Sequence, residues 1–121
     1  MKLKERQIKN KYHAKGTRID GHFFPSQAEA KRYQELLILQ RVGIVTQIEL
    51  QPKFVLQEGF ERGGKKYRPI TYRADFRVTY VDGHIEVEDV KGFRTKDFER
   101  TEKLLLYRYP DLNYKVLGGS K

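Results

Sequence analysis

The sequence predicts a single α/β domain with a mixed sheet, in which the elements follow the order α-β-β-β-α-β. Three observations support this fold class: an apolar stripe at helical spacing, three later segments that alternate apolar and polar residues, and a second helical segment before a short final strand. Because a helix lies before the final strand, that strand is expected to join the sheet through a helical crossover.

The first helix is predicted over residues 26–42. Ser26 is a favourable N-cap, Glu29 follows three residues later as in a capping box, and Gly43 ends the helix. A single stripe carries the residues that are expected to face the sheet, which are Ala30, Tyr33, Leu36, Leu37 and Gln40.

The first strand is predicted over residues 47–56, and its apolar residues alternate with polar ones: Ile48, Leu50, Phe54 and Leu56. Pro52 within it indicates an edge position or a bulge. Residues 59–66 predict a hairpin turn, because two glycines lie at their centre. The second strand, residues 67–80, is expected to place one apolar set on a single face: Ile70, Tyr72, Ala74, Phe76, Val78 and Tyr80.

The remaining elements follow a tight-turn signal. Asp82-Gly83 predicts a hairpin, so residues 85–91 are expected to pair antiparallel with the second strand. Thr95 caps a second helix that ends before Pro110, and residues 113–117 form the last strand.

Residues 1–18 are predicted to form a basic N-terminal arm, and residues 19–121 a single domain. The arm carries seven Lys or Arg residues against one acid, Glu5, and few apolar residues to bury. Such an arm could solvate the chain or bind phosphates, and the sequence leaves both functions open.

The charge of the chain favours a polyanionic partner. The 121 residues include 25 Lys or Arg and 16 Asp or Glu, which gives a formal net charge of +9. Nucleic acid is the first candidate, because each basic residue placed on a phosphate releases counterions. An anionic membrane surface is the second, and it is disfavoured because the basic residues do not lie opposite a strongly apolar helix face.

Composition also excludes several classes of chemistry. The chain has no Cys, so thiol nucleophiles, disulfides and Cys-ligated zinc are excluded, and a metal ion would have to be held by carboxylates. No apolar run approaches the ~20 residues of a membrane span, and the first residues lack the apolar stretch of a secretory signal. We therefore expect a cytoplasmic protein.

Two acids on neighbouring strands predict a metal site. Asp75 lies in the middle of the second strand, and Asp89 lies in the third, two residues before Lys91 and on the same face. Opposed side chains on antiparallel strands are only ~5 Å apart, so the two carboxylates could share one Mg²⁺. Lys91 could then orient or deprotonate a water, or stabilise charge on a phosphate. The alternative is a surface hairpin whose charges pair across the strands.

A third acid, Glu29, lies in the first turn of the first helix, close to the stripe that faces the sheet. Its carboxylate could therefore reach those of the strands. The alternative is that it only bonds the N-cap amide of Ser26 in the capping box.

This constellation and element order resemble the PD-(D/E)XK nuclease superfamily, whose signature is an acid on the first helix, an Asp on the second strand and an Asp/Glu-x-Lys on the third. Ala74 stands where that signature has Pro. The chain is also similar, over nearly its whole length, to a phage-encoded family of small proteins usually placed in the same superfamily. Five blocks carry this resemblance: Asn10–Lys15, Ser26–Ala30, Leu50–Phe54, Tyr72–Phe76 and Glu88–Gly92.

The resemblance implies a restriction-endonuclease-like fold and an endonuclease that uses Mg²⁺ or Mn²⁺ to hydrolyse phosphodiester bonds in DNA. The residues it implies as metal ligands are Glu29, Asp75 and Asp89, with Lys91 as the group that activates water. Glu88 would take the ligand position of Asp89 if the strand carried a bulge.

Gln51 is a further candidate, because Gln51-Pro52 is similar to a Gln-Pro pair on the first strand of transposon-encoded end-cleaving endonucleases. It would assist by a hydrogen bond to a ligand carboxylate or to water. The alternative is an ordinary solvent-facing Gln.

The basic residues expected to contact phosphates, which would position DNA without reading its sequence, are Lys11, Lys15, Arg73, Arg94, Lys96 and Arg100. A solvated helix face is the alternative for those on the second helix. By analogy, the preferred substrate is branched DNA from phage replication or recombination, and a homodimer would provide two sites for two strands. Two other functions stay open: a non-catalytic DNA-binding module of the same fold, and an adaptor in a phage replication or packaging complex.

Overall fold

A computed structural model describes residues 16–120, which form two helices and ten strands. The helices are α1 (Gln27–Arg41) and α2 (Lys96–Arg108). The strands are β1 (Thr17–Ile19), β2 (His22–Phe24), β3 (Val45–Leu50), β4 (Lys53–Gln57), β5 (Phe60–Arg62), β6 (Lys65–Tyr67), β7 (Ile70–Arg73), β8 (Phe76–Tyr80), β9 (Ile85–Phe93) and β10 (Tyr114–Ser120). The predicted mixed α/β class is confirmed. Neither helix in this part of the chain has the length and apolar character needed to cross a membrane.

The central sheet has four strands in the order β10-β9-β8-β3. β3, β8 and β9 are antiparallel neighbours, and the β8–β9 turn contains Asp82-Gly83, as predicted. β10 pairs parallel with β9 after the chain has crossed over through α2. A parallel neighbour cannot be reached by a tight turn, which is why the helix lies between the two strands.

Side-chain caps begin both helices at the predicted residues. The Ser26 hydroxyl accepts a hydrogen bond from the Glu29 amide at 3.1 Å, and the Thr95 hydroxyl accepts one from the Phe98 amide at 3.0 Å. These bonds satisfy amides that have no partner within the first turn. The predicted caps are confirmed, and they fix where α1 and α2 begin.

The β3–β8 pair continues as the β4–β7 pair beyond an interruption of both ladders. The two sides stay hydrogen bonded there, since the Gln51 amide donates to the Asp75 carbonyl at 2.9 Å and the Ala74 amide to the Pro52 carbonyl at 3.0 Å. Gln51 has a φ of 53°, in the left-handed region that residues other than glycine seldom adopt. The irregularity expected at Pro52 is therefore present, and it places Gln51 opposite Asp75.

This interruption changes which core the apolar residues enter. Phe76 and Val78 pack in a cluster with residues of α1, whereas Tyr72 and Ala74 pack in a second cluster with Leu105 of α2. The prediction that the apolar residues from Ile70 to Tyr80 share one face is therefore wrong. Strict alternation holds only while the backbone stays extended, and the ladder is broken at Asp75.

The N-terminal part of the described chain is a hairpin of β1 and β2 around Asp20-Gly21. Both turn residues have positive φ, 53° and 81°, which is typical of tight two-residue hairpins. Phe24 at its end is buried against Tyr33, with ring centroids 4.8 Å apart. Thr17 and Arg18, at the end of the predicted arm, belong to β1, and residues 1–15 of that arm lie outside the described residues.

Candidate functional site

A cavity of about 180 Å³ lies where the first turn of α1, the β1–β2 hairpin and the interruption of the strands meet. Three of the five predicted catalytic residues line it: Glu29, Gln51 and Asp75. The other lining residues are His22, Phe23, Phe24 and Leu50. The fold therefore gathers two acids and an amide from three separate segments into one concave site.

Glu29 reaches this cavity from the first turn of α1. Its backbone amide is capped by Ser26, and its Oε1 accepts a hydrogen bond from the Ser26 hydroxyl at 3.3 Å. The capping alternative and the functional one are thus compatible, because capping fixes the first turn while the carboxylate still lines the cavity.

Asp75 lines the cavity from the gap between β7 and β8. Its Oδ2 accepts a hydrogen bond from the Val90 amide at 2.7 Å, and its backbone amide donates one to Asp89 Oδ1 at 3.1 Å. Burial, assisted by the neighbouring carboxyls of Glu29 and Asp89, raises the pKa of Asp75 to about 7, against the opposing effect of the hydrogen bond from the Val90 amide. Near neutral pH the protonated and ionised forms of this carboxyl are therefore both populated.

Asp89 is buried behind Asp75 and does not line the cavity. Asp89 is only 1% exposed. Its carboxylate accepts hydrogen bonds from the hydroxyls of Tyr72 and Tyr114 and from the Asp75 amide. Burial and the hydrogen bond to Asp89 raise the pKa of both tyrosines, so they stay protonated donors. In this structure Asp89 therefore fixes the backbone of Asp75 and the position of β10.

Glu88 lies on the other side of β9, against α1. The Arg32 guanidinium donates to both of its carboxylate oxygens, from Nε at 2.8 Å and from Nη2 at 2.6 Å. Glu88 is 1% exposed and Arg32 is partly buried. Of the two adjacent acids, Asp89 is thus the one beside Asp75, and Glu88 holds α1 on the sheet.

Lys91 is half-buried and is not among the residues that line the cavity. Its Nζ lies 4.5 Å from the centroid of the Phe98 ring, on the first turn of α2. The ammonium is therefore held by a cation–π contact beside the site.

The donors that line the cavity fit a hard divalent cation. Carboxylate and amide oxygens are the ligands that Mg²⁺ prefers, and a cation would relieve the repulsion between Glu29 and Asp75. Within residues 16–120, no group of three or more Asp, Glu, His or Cys side chains is placed to hold a metal ion. Two of the three predicted ligands, Glu29 and Asp75, meet in the cavity, and the third, Asp89, is directed towards its tyrosines.

The predicted phosphate contacts fall into three groups. Lys11 and Lys15 lie outside the described residues. Arg94 is mostly buried, packs on Phe98 and pairs with Glu102, so α2 holds its charge internally. Exposed positions are occupied by Arg73, Lys96 and Arg100.

The stability of the fold is expected to depend on pH through Asp75. Its pKa rises from 3.8 to about 7 on folding, so the proton retained by the folded state stabilises it at low pH, and this effect is lost as the pH rises through 7. We expect Asp75→Asn, which keeps an oxygen for the Val90 amide, to be more stable than wild type by about 1–2 kcal/mol near pH 8, allowing for solvent screening.

The measurement is urea unfolding of both proteins across this pH range. The difference between them should shrink towards zero as the pH falls below 3.8, where Asp75 becomes mostly protonated in the unfolded state as well. A difference that does not change with pH would contradict the buried, ionisable position of Asp75.

The fold and the cavity define a mixed α/β domain with a paired-carboxylate site. The chain belongs to the family described as "Protein of unknown function (DUF1064)", whose model matches residues 9–120. No curated protein and no solved structure matches the chain significantly. The family match spans every described element, including all the residues that line the cavity.

Proposed function

We propose that this protein is a metal-dependent endonuclease of the PD-(D/E)XK type, with a restriction-endonuclease-like fold, that hydrolyses phosphodiester bonds in DNA. The observation that carries the proposal is the meeting of Glu29 and Asp75 in one cavity, beside a backbone that Asp89 fixes. The order α1, β3–β4, β7–β8, β9, α2, β10 supports it, because it follows the arrangement expected of that superfamily.

Mg²⁺ or Mn²⁺ held by Glu29 and Asp75 would polarise the scissile phosphate and lower the pKa of a bound water. The chain's own residues supply the positioning. The Val90 amide orients the Asp75 carboxylate, and Gln51, which lines the cavity, would hydrogen bond the attacking water or a phosphate oxygen. Lys91 would stabilise charge on the phosphate after leaving the Phe98 ring, a contact of only about 0.5–1 kcal/mol at a partly exposed site.

Charge supports DNA as the substrate class, since the net charge of +9 suits a polyanion. Contacts to phosphates carry no sequence information, so we propose that the enzyme selects the structure of branched DNA, as arises in phage replication or recombination. A homodimer would offer one cavity to each of two strands.

One observation favours a second candidate, a non-catalytic DNA-binding module of the same fold. Asp89 is fully hydrogen bonded by Tyr72, Tyr114 and the Asp75 amide, and the Lys91 ammonium lies on Phe98. These contacts suit a fold that uses its acids structurally.

A cleavage panel separates the two candidates. Supercoiled plasmid and synthetic four-way junctions are incubated with the wild type in Mg²⁺, Mn²⁺, Ca²⁺ or EDTA, and we expect cutting in Mg²⁺ and Mn²⁺ and none in EDTA. Glu29→Gln should slow cutting by about 100-fold or more, because a metal ion supplies several kcal/mol of transition-state stabilisation.

The matched control is Glu35→Gln, an exposed acid on the same helix that does not line the cavity. It should cut like the wild type. Equal effects of the two variants, or cutting that persists in EDTA, would contradict the proposal, and tight binding without cutting in any metal would establish the binding module instead.

A further inference from the structure

We propose that the β5–β6 hairpin is a second DNA-contact site, which stacks an unpaired base on an exposed aromatic pair and binds the adjoining phosphates through a basic tip. The inference deepens the proposed function and rests on it in taking DNA as the ligand. None of the residues of this hairpin lines the cavity, so the proposed cleavage site does not assign it a role.

The hairpin projects from the rest of the fold. β5 and β6 pair only with each other, and every residue from 57 to 71 is exposed within the described structure. The two strands pack closely at its base, where a Cβ atom added to Gly59 would lie only 3.0 Å from the Tyr67 carbonyl oxygen. Glu58 also forms an ion pair with Arg108 of α2 at 2.9 Å. The hairpin is thus anchored at its base, and its flanks and tip are accessible.

An aromatic pair occupies one face of the hairpin. Phe60 and Tyr67 are cross-strand partners whose rings stack with centroids 4.7 Å apart and an interplanar angle of 11°. They remain 46% and 40% exposed. A nucleobase is a flat π system that can extend such a stack, and aromatic platforms of this kind bind single-stranded nucleic acid in a sequence-tolerant way.

Positive charge surrounds the same pair. Lys65 Nζ lies 5.0 Å from the centroid of the Tyr67 ring, and the turn residues Gly63 and Gly64 bring the two strands together at a narrow tip. The basic residues of this segment are Arg62, Lys65, Lys66 and Arg68. Of the two acids, Glu58 is paired with Arg108 and Glu61 stands opposite Lys66.

Stacked flat rings next to basic side chains fit a nucleic acid strand better than an aliphatic or acidic protein surface. The hairpin also leads directly to the cavity through β7. Asp75 lies eight positions after Tyr67, a distance of at most ~26 Å of extended chain. At the ~3.4 Å spacing of a strand in duplex DNA this upper limit corresponds to about eight nucleotides, so DNA cut at the cavity could reach the hairpin with unpaired bases beyond its duplex end.

The test measures binding by fluorescence anisotropy in EDTA, so that cutting does not interfere. The probes are a duplex with an unpaired single-stranded flap and a blunt duplex of the same sequence. Phe60→Val/Tyr67→Ile removes both rings and keeps residues that favour strands. We expect it to weaken flap binding by about tenfold or more, within the range of about 5- to 150-fold for the loss of base stacking, and to leave blunt-duplex binding nearly unchanged.

A second variant, Lys65→Gln/Lys66→Gln, should weaken both probes and lower the slope of log affinity against log salt by about 1.4–1.8. The matched controls are Tyr107→Ala, which removes an aromatic side chain that is 86% exposed on α2, and Lys31→Gln on the exposed side of α1. Both controls should bind like the wild type. Melting temperatures of all variants should stay close to that of the wild type, since the hairpin residues are exposed.

Equal flap affinity of the wild type and the aromatic variant would overturn the inference, and so would a wild type that binds neither probe. If the hairpin variants cut and bind like the wild type, the hairpin site fails and the endonuclease stands. If the wild type binds flaps through the hairpin but never cuts, the endonuclease fails and the hairpin site stands.

Discussion

Asp75→Asn is expected to lower the rate of DNA cleavage by about 10³-fold or more. Asp75 is one of two acids in the cavity, and the neutral amide of Asn is a poor ligand for a hard cation. Because a metal ion contributes several kcal/mol to the stabilisation of the transition state, and each 1.36 kcal/mol is tenfold in rate, the loss should exceed that of most substitutions in this chain.

The rate is measured on junction DNA at saturating Mg²⁺, and DNA affinity is measured in EDTA. The variant should bind DNA as the wild type does, and Asp111→Asn, at an exposed loop position, serves as the control for loss of an acidic residue. Cleavage by Asp75→Asn within tenfold of the wild-type rate would remove Asp75 from the catalytic site.

The same substitution is expected to stabilise the fold at alkaline pH, and the two effects have one cause. Asp75 is buried near Glu29 and Asp89, so its ionised form is unfavourable until a cation neutralises it. Gln51, in the interruption opposite Asp75, adds backbone strain to the same site, because its φ of 53° is unfavourable for a residue with a side chain. Such local strain is typical of functional sites, where the free energy of ligand binding can compensate for it.

Local signals predict much of the fold. Ser26 and Thr95 cap the two helices, and the Asp82-Gly83 turn joins β8 to β9, because each of these features depends only on neighbouring residues. The β1–β2 hairpin has the same kind of signal in Asp20-Gly21 and could have been predicted from it. The predicted arm ends at residue 18, so it takes in only Thr17 and Arg18 of this hairpin.

The cavity was predicted only in part, because side-chain direction depends on tertiary context. Alternation along the second strand placed Tyr72 and Phe76 on one face, and the break at Asp75 sends them to different cores. Asp89 looked free to bind a cation because Tyr114, one of its two tyrosine partners, lies 25 residues away on β10. Pairings over such separations depend on sheet topology, which spacing within one segment does not encode.

The ion pair between Arg32 and Glu88 is expected to dominate the stability of the α1–sheet contact. Arg32→Leu should lower the free energy of unfolding by about 3–5 kcal/mol, because it leaves the carboxylate of Glu88 buried without a partner. Glu88 is 1% exposed, and Arg32 supplies both of its side-chain hydrogen bonds. A bidentate pair of this kind also fixes the helix in register, so Arg32→Lys should lose part of the stability.

A double-mutant cycle separates the pair from its surroundings. Urea unfolding of Arg32→Leu, Glu88→Leu and the double variant gives the coupling energy, and the double variant should recover most of the stability lost in Arg32→Leu, since replacing a buried pair by apolar residues is often neutral. Glu88→Leu alone should cost less than Arg32→Leu, because Arg32 is 21% exposed and retains Glu35 at 3.2 Å. Additive effects of the two single variants would show that Arg32 and Glu88 contribute independently, and the ion pair would then not be what fixes α1 on the sheet.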